Sequence, residues 1–338
     1  KEGNFDDAQT GKRTGKNILH LEKSLGQIAL NMQGSLLDVR KRWDQVRSRL
    51  FEARQKRVRP GRDDKILVDW NGLMIAALSK AAQVFNEPEY AKAAKKASDF
   101  ILNNMRDSEK RLYHRYRDGE AKVTGFLTDY AFFVWGLLEL YETVFDVSYL
   151  SEAVRLQEDM SRLFEGPHGG FYYSGADNEK MIARERVIFD GALPSSNSVA
   201  AMNLLRLGRM TGNPEFEKRA DALMRSFATQ VGANPAAHTQ FMQAVDFALG
   251  PAREILIAGD FSSPSTRQMI ETVHRVYSPN RVLMLKESGK RGEDLSKIAP
   301  FTEAIISGET GPTAYLCENF SCRNPLGSAS ELDAALGS

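Results

Sequence analysis

Along this chain, helices with no polar stripe alternate with helices that have one, and that alternation restricts the fold more than any single motif. From Val68 to Phe85, the residues Val68, Trp70, Leu73, Met74, Ile75, Leu78, Ala81, Val84 and Phe85 leave almost no polar side, the pattern of a helix enclosed by protein. The next segment, 89–106, puts Tyr90, Ala93, Ala94, Ala97, Phe100, Ile101 and Met105 on one face and lysines on the other, so it covers a core from outside. The pair returns at 130–145 with 150–165, and again at 198–210 with 216–231. The outer members begin at Glu89, Ser151 and Glu215, 62 and 64 positions apart. That period is too long for the common short solenoid repeats and suits a helical pair plus a β-hairpin. Two concentric layers of helices, arranged as a barrel, are the expectation.

A short polar cluster opens each inner helix: Asp69-Trp70-Asn71, Asp129-Tyr130 and Ser195-Ser196-Asn197. Equivalent positions in a ring face the same end, so the clusters are expected to converge at one mouth. Helix N-termini add unpaired N–H groups and partial positive charge there. Leu112 to Tyr116, running into Asp118-Gly119, reads as a β-hairpin. Gly169 to Tyr173, returning near Met181 to Ile188, reads as a second. A helix of about 20 residues from Ser35 packs through Leu36, Val39, Trp43, Val46, Leu50 and Ala53 and stops before Pro60. After Gly250 the texture changes to strand (Glu254–Ala258), helix (Ser265–Tyr277) and strand (Arg281–Leu285), a β-α-β unit with a parallel pair. Thr313 to Cys317 adds a further strand. No Gly-rich loop opens the Ser265 helix, which argues against a nucleotide site. The chain thus divides into an arm (1–33), a helical toroid (34–250) and a small α/β segment (251–338).

A net charge of +1 over 338 residues argues against a protein built to neutralise phosphate, so no nucleic-acid partner is expected. No apolar stretch reaches the roughly 18 residues of a membrane span, and the first residues do not resemble a signal peptide; a cytoplasmic protein without membrane contact is the expectation. The histidines, His20, His114, His168, His238 and His274, fall in no metal-ligand spacing, and neither metal nor cofactor is expected. Cys317 and Cys322 are compatible with a disulfide, a redox pair or two idle thiols, with the idle or structural reading favoured.

The chemistry is expected at the mouth. Asp64, Trp70 and Asn71 suit a saccharide, since an aromatic face stacks on a sugar ring while Asp and Asn bond its hydroxyls, and Tyr130 repeats the platform one hairpin later. The loop from Phe189 to Ser198 holds Asp190, Ser195, Ser196 and Asn197. His238, with Gln240 nearby, stands at a helix start. Asp69, Asp129, Asp190 and His238 are the candidate catalytic groups: carboxylates paired across a cleft could act on a glycosidic bond, and a His with an acid could move a proton next to a carbonyl. Each residue also has a structural reading, as a helix cap or as core. No Gly-x-Ser-x-Gly elbow is present.

The runs Glu2-Gly3-Asn4-Phe5, Gly15-Lys16-Asn17-Ile18-Leu19, Arg59-Pro60 leading to Asp63-Asp64-Lys65 and Trp70-Asn71-Gly72-Leu73, Asp190-Gly191-Ala192 with Pro194-Ser195 and Asn197-Ser198, and Cys317-Glu318-Asn319-Phe320 before Cys322 span nearly the whole chain. Together they resemble the spermatogenesis-associated-protein-20-like, or YyaL-like, thioredoxin-domain-containing family. The resemblance implies a mainly α fold, an (α/α) six-hairpin-type barrel similar to N-acylglucosamine 2-epimerases and glycoside hydrolases. It also implies a thioredoxin-like domain that this sequence lacks, so the chain reads as a fragment. About eight barrel helices between Ser35 and Gly250 make about four hairpins, roughly two short of a ring. A carbohydrate-active enzyme, hydrolase or epimerase, is the first functional expectation. A non-catalytic binding module serving the redox domain is the second, and polar clusters that only cap helices the third.

Overall fold

The computed structural model describes residues 3–178, 183–308, 311–318 and 321–337, and its contacts divide the chain between Asp63 and Asp64. The first unit holds α1 (Leu25–Asn31) and α2 (Leu36–Gln55), packed on one another. Helix α2 buries none of its residues. The helix expected to pack into the toroid from Ser35 therefore belongs to the first unit, and the boundary expected at 33/34 lies at 63/64.

The second unit begins with β1 (Ile66–Leu67) and runs directly into α3 (Val68–Phe85), followed by α4 (Pro88–Asn104), β2 (Tyr113–Arg117), β3 (Glu120–Thr124), α5 (Leu127–Val144) and α6 (Val147–Phe164). Next come α7 (Ser196–Thr211), α8 (Pro214–Ala233) and α9 (Thr239–Leu249). Three inner–outer pairs, α3/α4, α5/α6 and α7/α8, and the single helix α9 form an (α/α) hairpin arc. Its inner helices neighbour one another in the order α3, α5, α7, α9.

The turn between each pair is built the same way. Asn86, Phe145 and Gly212 end the inner helices in left-handed backbone, with φ of 51°, 53° and 70°. The following residue, Glu87, Asp146 or Asn213, accepts a backbone N–H of the outer helix and caps it. A left-handed C-terminal residue followed at once by a capping acceptor reverses the chain in the shortest possible space.

Burial follows the polarity pattern. Helix α8 buries Phe216, Ala220, Leu223, Phe227 and Val231, a single stripe, whereas α5 buries nearly every residue from Leu127 to Glu142. Helix α3 differs: Trp70, Met74, Val84 and Phe85 remain exposed, so the helix that reads as enclosed lies at an open end of the arc. Helices α3 and α5 touch backbone to backbone. A Cβ on Gly72 would lie 2.6 Å from the Phe132 carbonyl carbon, and one on Gly136 would lie 2.7 Å from the Gly72 oxygen. An ion network crosses the inner layer. Arg206 of α7 reaches Glu139 Oε1 at 2.7 Å and Glu142 Oε1 at 2.8 Å, and Lys80 of α3 reaches Glu139 Oε2 at 2.8 Å.

Beyond α9 lie β4 (Arg253–Ala258), α10 (Pro264–Arg275), β5 (Arg281–Lys286), α11 (Lys290–Ile298), β6 (Thr313–Glu318), β7 (Ser321–Cys322) and α12 (Ala329–Leu336). The sheet order is β5-β4-β6-β7, with β4 and β5 parallel and β6 antiparallel to β4. Strand β5 rests on α5 and α7, so this segment shares the core of the hairpin arc. Cys317 and Cys322 face each other across β6 and β7 and form a disulfide, which selects one of the alternatives open in the sequence. The first expected hairpin is β2–β3. The second forms no strand among the described residues: Phe171 makes an isolated bridge with Glu165, and the Tyr173 N–H donates to the Glu185 carbonyl. Met181 and Ile182, at its expected return, lie outside the described residues.

Candidate functional site

The small sheet β1-β2-β3 sets the site. Leu67, at the end of β1, pairs with Arg115 of β2, which brings the neighbouring His114 to the first turn of α3. Asp69 sits in that turn and Asp129 in the first turn of α5. Asp129 is fully buried. Its Oδ2 accepts the Phe126 N–H at 2.8 Å and its Oδ1 accepts the Asp69 N–H at 3.1 Å. His114 Nδ1 lies 2.9 Å from Oδ1 and 3.1 Å from Oδ2. A carboxylate facing two helix starts and an imidazole at once joins three elements through one side chain.

Asp69 Oδ1 accepts the Trp70 N–H at 2.8 Å. Burial and then the Asp129 charge push the Asp69 carboxyl up, against the opposing Trp70 N–H and His114. The hydrogen bond to Asp129 pushes the His114 imidazole up, with burial opposing it. With Nδ1 engaged, His114 keeps Nε2 for other partners. Its ring meets Phe126 edge-on at 5.4 Å, and Phe126 stacks on Tyr173 at 5.2 Å. The result is an aromatic wall beside an acid and a base whose proton affinities are both raised, an arrangement suited to moving a proton.

One atom from each of Asp69, His114 and Asp129 lies within 4.8 Å of the other two. These donor types also suit a divalent cation. The sequence expects no metal because it offers no short-range ligand spacing, and a trio drawn from α3, β2 and α5 has none. His114 is the residue that sequence reasoning missed; its signal was a histidine in a hairpin that leads into the turn before Asp129.

Among the expected site residues, only Asp69 and Asp129 come together in this way. Trp70 is 62% exposed beside them. Asn71 donates to the Leu67 carbonyl, and Asp64 pairs with Arg117 at 3.1 Å. Tyr130 is a correction: it is fully buried and its hydroxyl accepts the Leu112 N–H, so it offers no ring face to a ligand. Asp190 is another. Its Oδ1 accepts the Ser195 N–H and its Oδ2 the N–H groups of Gln240 and Phe241, so it caps α9 and holds the preceding loop. Ser195 caps α7. Ser196 is buried, and Asn197 clamps the backbone of Phe171 and Val187. His238 is buried with Nδ1 on the Ile188 carbonyl. The Asp190 to His238 group thus fastens loops to helix starts.

No protein-family model matches the chain. Human spermatogenesis-associated protein 20 is 32% identical over 343 residues, 98% of this chain and 44% of its own length. The mouse protein of that name is 31% identical over 346 residues, and an uncharacterized Caenorhabditis elegans protein 28% over 331. The chain spans under half the length of the curated relatives it matches. Solved structures similar to parts of it include a cellobiose 2-epimerase from Bacillus thermoamylovorans, with a TM-score of 0.42 and 17% identity over 50% of this chain and 46% of that one. A family 105 glycoside hydrolase from C. acetobutylicum gives 0.42 and 13% over 61% of each. Along nearly all of its length, the chain is homologous to spermatogenesis-associated protein 20.

Proposed function

We propose that the chain carries the acid–base site of a carbohydrate-active protein, one that moves a proton next to the carbonyl of a small hydroxylated substrate. The observation that supports this reading is the state of Asp129. Both of its oxygens are occupied and it is fully buried. It therefore acts as a positioning residue, and the site does not offer two free carboxylates on opposite sides of a glycosidic bond, as hydrolysis by paired acids requires. The groups left to meet a substrate are His114 through Nε2 and Asp69 through Oδ2. Exposed Trp70 is the stacking surface for a sugar ring. Isomerisation or epimerisation at the carbon beside a carbonyl is the reaction class that such a pair serves.

The test is exchange of the C2 hydrogen of aldoses and ketoses in D2O, followed by NMR, with this chain and with a full-length relative. Exchange is expected to fall by 10²-fold or more, about the general acid–base contribution, in both His114→Gln and Asp69→Asn. Binding without exchange would favour a non-catalytic sugar-binding module. If neither variant changed the binding or exchange of any sugar, the reading would be wrong.

A further inference from the structure

A cavity of about 530 Å³ lies between the inner helices and the C-terminal segment. Its wall includes Lys80 of α3, Glu139 and Glu142 of α5, Arg206 of α7, His274 of α10 and Arg281 of β5. Lys80 is about 16 Å along α3 from Asp69, so this space is distinct from the acid–base site.

The charges in it do not balance. Arg206 binds both glutamates and Lys80 binds Glu139. Arg281 is left over: no carboxylate among the described residues pairs with it, and its Nη1 is closed to solvent with no hydrogen-bond partner. Arg275, also in the wall, has Asp333 as its partner; the other three cations, Lys80, Arg206 and Arg281, face two carboxylates. His274 Nε2 is likewise buried and unpartnered. Burial, with Arg281 and Lys80 nearby, pushes the His274 imidazole down to about 3, against an opposing contact of the ring with the Glu142 backbone. A neutral ring donating from one nitrogen accepts at the other. The wall therefore presents a fork of guanidinium donors and, beside it, an acceptor for a hydroxyl.

Buried charges and polar groups in folded proteins are as a rule partnered. A guanidinium fork matches the paired oxygens of a carboxylate or phosphate, and the volume suits a small molecule. We propose that this cavity binds a small hydroxylated anion, a hydroxy acid or a phosphate monoester with free hydroxyls, with Arg281 holding the anionic group and His274 Nε2 accepting a ligand hydroxyl.

Thermal melts and calorimetry of the whole chain test it with gluconate and glucose 6-phosphate as the two anionic probes. Sorbitol serves as the neutral polyol and chloride as the control at matched ionic strength. At about tenfold its Kd, at least one anion raises Tm by about 3 °C, and sorbitol does not; which anion acts identifies the oxyanion. Arg281→Gln weakens that binding at least tenfold while the Tm of the unliganded protein holds or rises, because a partnerless charge has been removed. Arg281→Lys gives intermediate affinity, and His114→Ala leaves binding unchanged, which separates this site from the acid–base site. The proposal is overturned if neither anion shifts Tm, if sorbitol does so equally, if Arg281→Gln binds as the native chain does, or if that variant melts well below the native chain without ligand.

Discussion

Replacing Arg206 by methionine removes the cation that two buried carboxylates share. Its guanidinium spans Glu139 and Glu142 at 2.7 and 2.8 Å, and all three residues are buried. Breaking a buried pair from one side costs about 3–5 kcal/mol, because the surviving charge has neither water nor partner. Lys80 still reaches Glu139, whereas Glu142 loses its guanidinium, so about 4 kcal/mol is the expectation. For a unit of this size that corresponds to a Tm lowered by about 8–12 °C. The pH dependence supplies the sharper test. Burial pushes the Glu139 carboxyl up, but Arg206 and Lys80 outweigh it and hold the group at about 2, below its ordinary 4.5. A depressed carboxyl contributes stability that is present above about pH 4.5 and lost as pH falls toward 2. Without Arg206 the effect of burial on Glu139 gains weight, its carboxyl in the folded state rises, and protonation relieves the penalty. The deficit against the native chain should narrow between pH 7 and pH 5 in urea titrations. A loss under about 1 kcal/mol at pH 7, or a deficit equal at both pH values, would refute the reasoning.

Other outcomes follow from single observations. Asp129→Asn removes the carboxylate that raises the His114 imidazole, so the His114 NMR titration midpoint should fall. A raised imidazole contributes stability that is present below about pH 6.5 and lost as pH climbs through the folded value, and this slope should flatten in the variant. An unmoved midpoint would mean that Asp129 does not set it. Gly72→Ala forces a Cβ against the Phe132 backbone and should cost about 1–3 kcal/mol in denaturant titrations. Gly232→Ala on α8 meets nothing within 4 Å and should gain up to about 1 kcal/mol; equal effects at the two glycines would contradict the close contact of α3 and α5. Reducing the Cys317–Cys322 disulfide should lower stability by about 2 kcal/mol in the chain-entropy view of a short loop, read from melts with and without a phosphine reductant.

The candidate site was legible only in part, and the reason lies in the range of the interactions. Asp69 and Asp129 stand out in the sequence because a carboxylate in the first turn of an inner helix is a local feature. Its local reading, as a helix cap, also holds for Asp129, which accepts the Phe126 N–H. Asp190 and His238 also stand near helix starts, yet Asp190 accepts the backbone N–H groups of Ser195, Gln240 and Phe241, and His238 bonds the Ile188 carbonyl. Nothing within a few residues of either distinguishes a loop fastener from a proton carrier.

The sequence by itself determined the hairpin arc, its two layers, the β-α-β segment and the helix starts, since polarity period and capping act over one or two turns of chain. Tertiary structure alone decided which of those helix starts became a site. His114 meets Asp129 because β1 pairs with β2 in one register and two glycine-faced helices cross closely enough to bring their first turns together. The same packing turned Tyr130 inward and left Arg281 without a paired carboxylate among the described residues. Partnership between residues far apart in sequence depends on register, crossing distance and the balance of buried charge, and none of these is written in a local pattern.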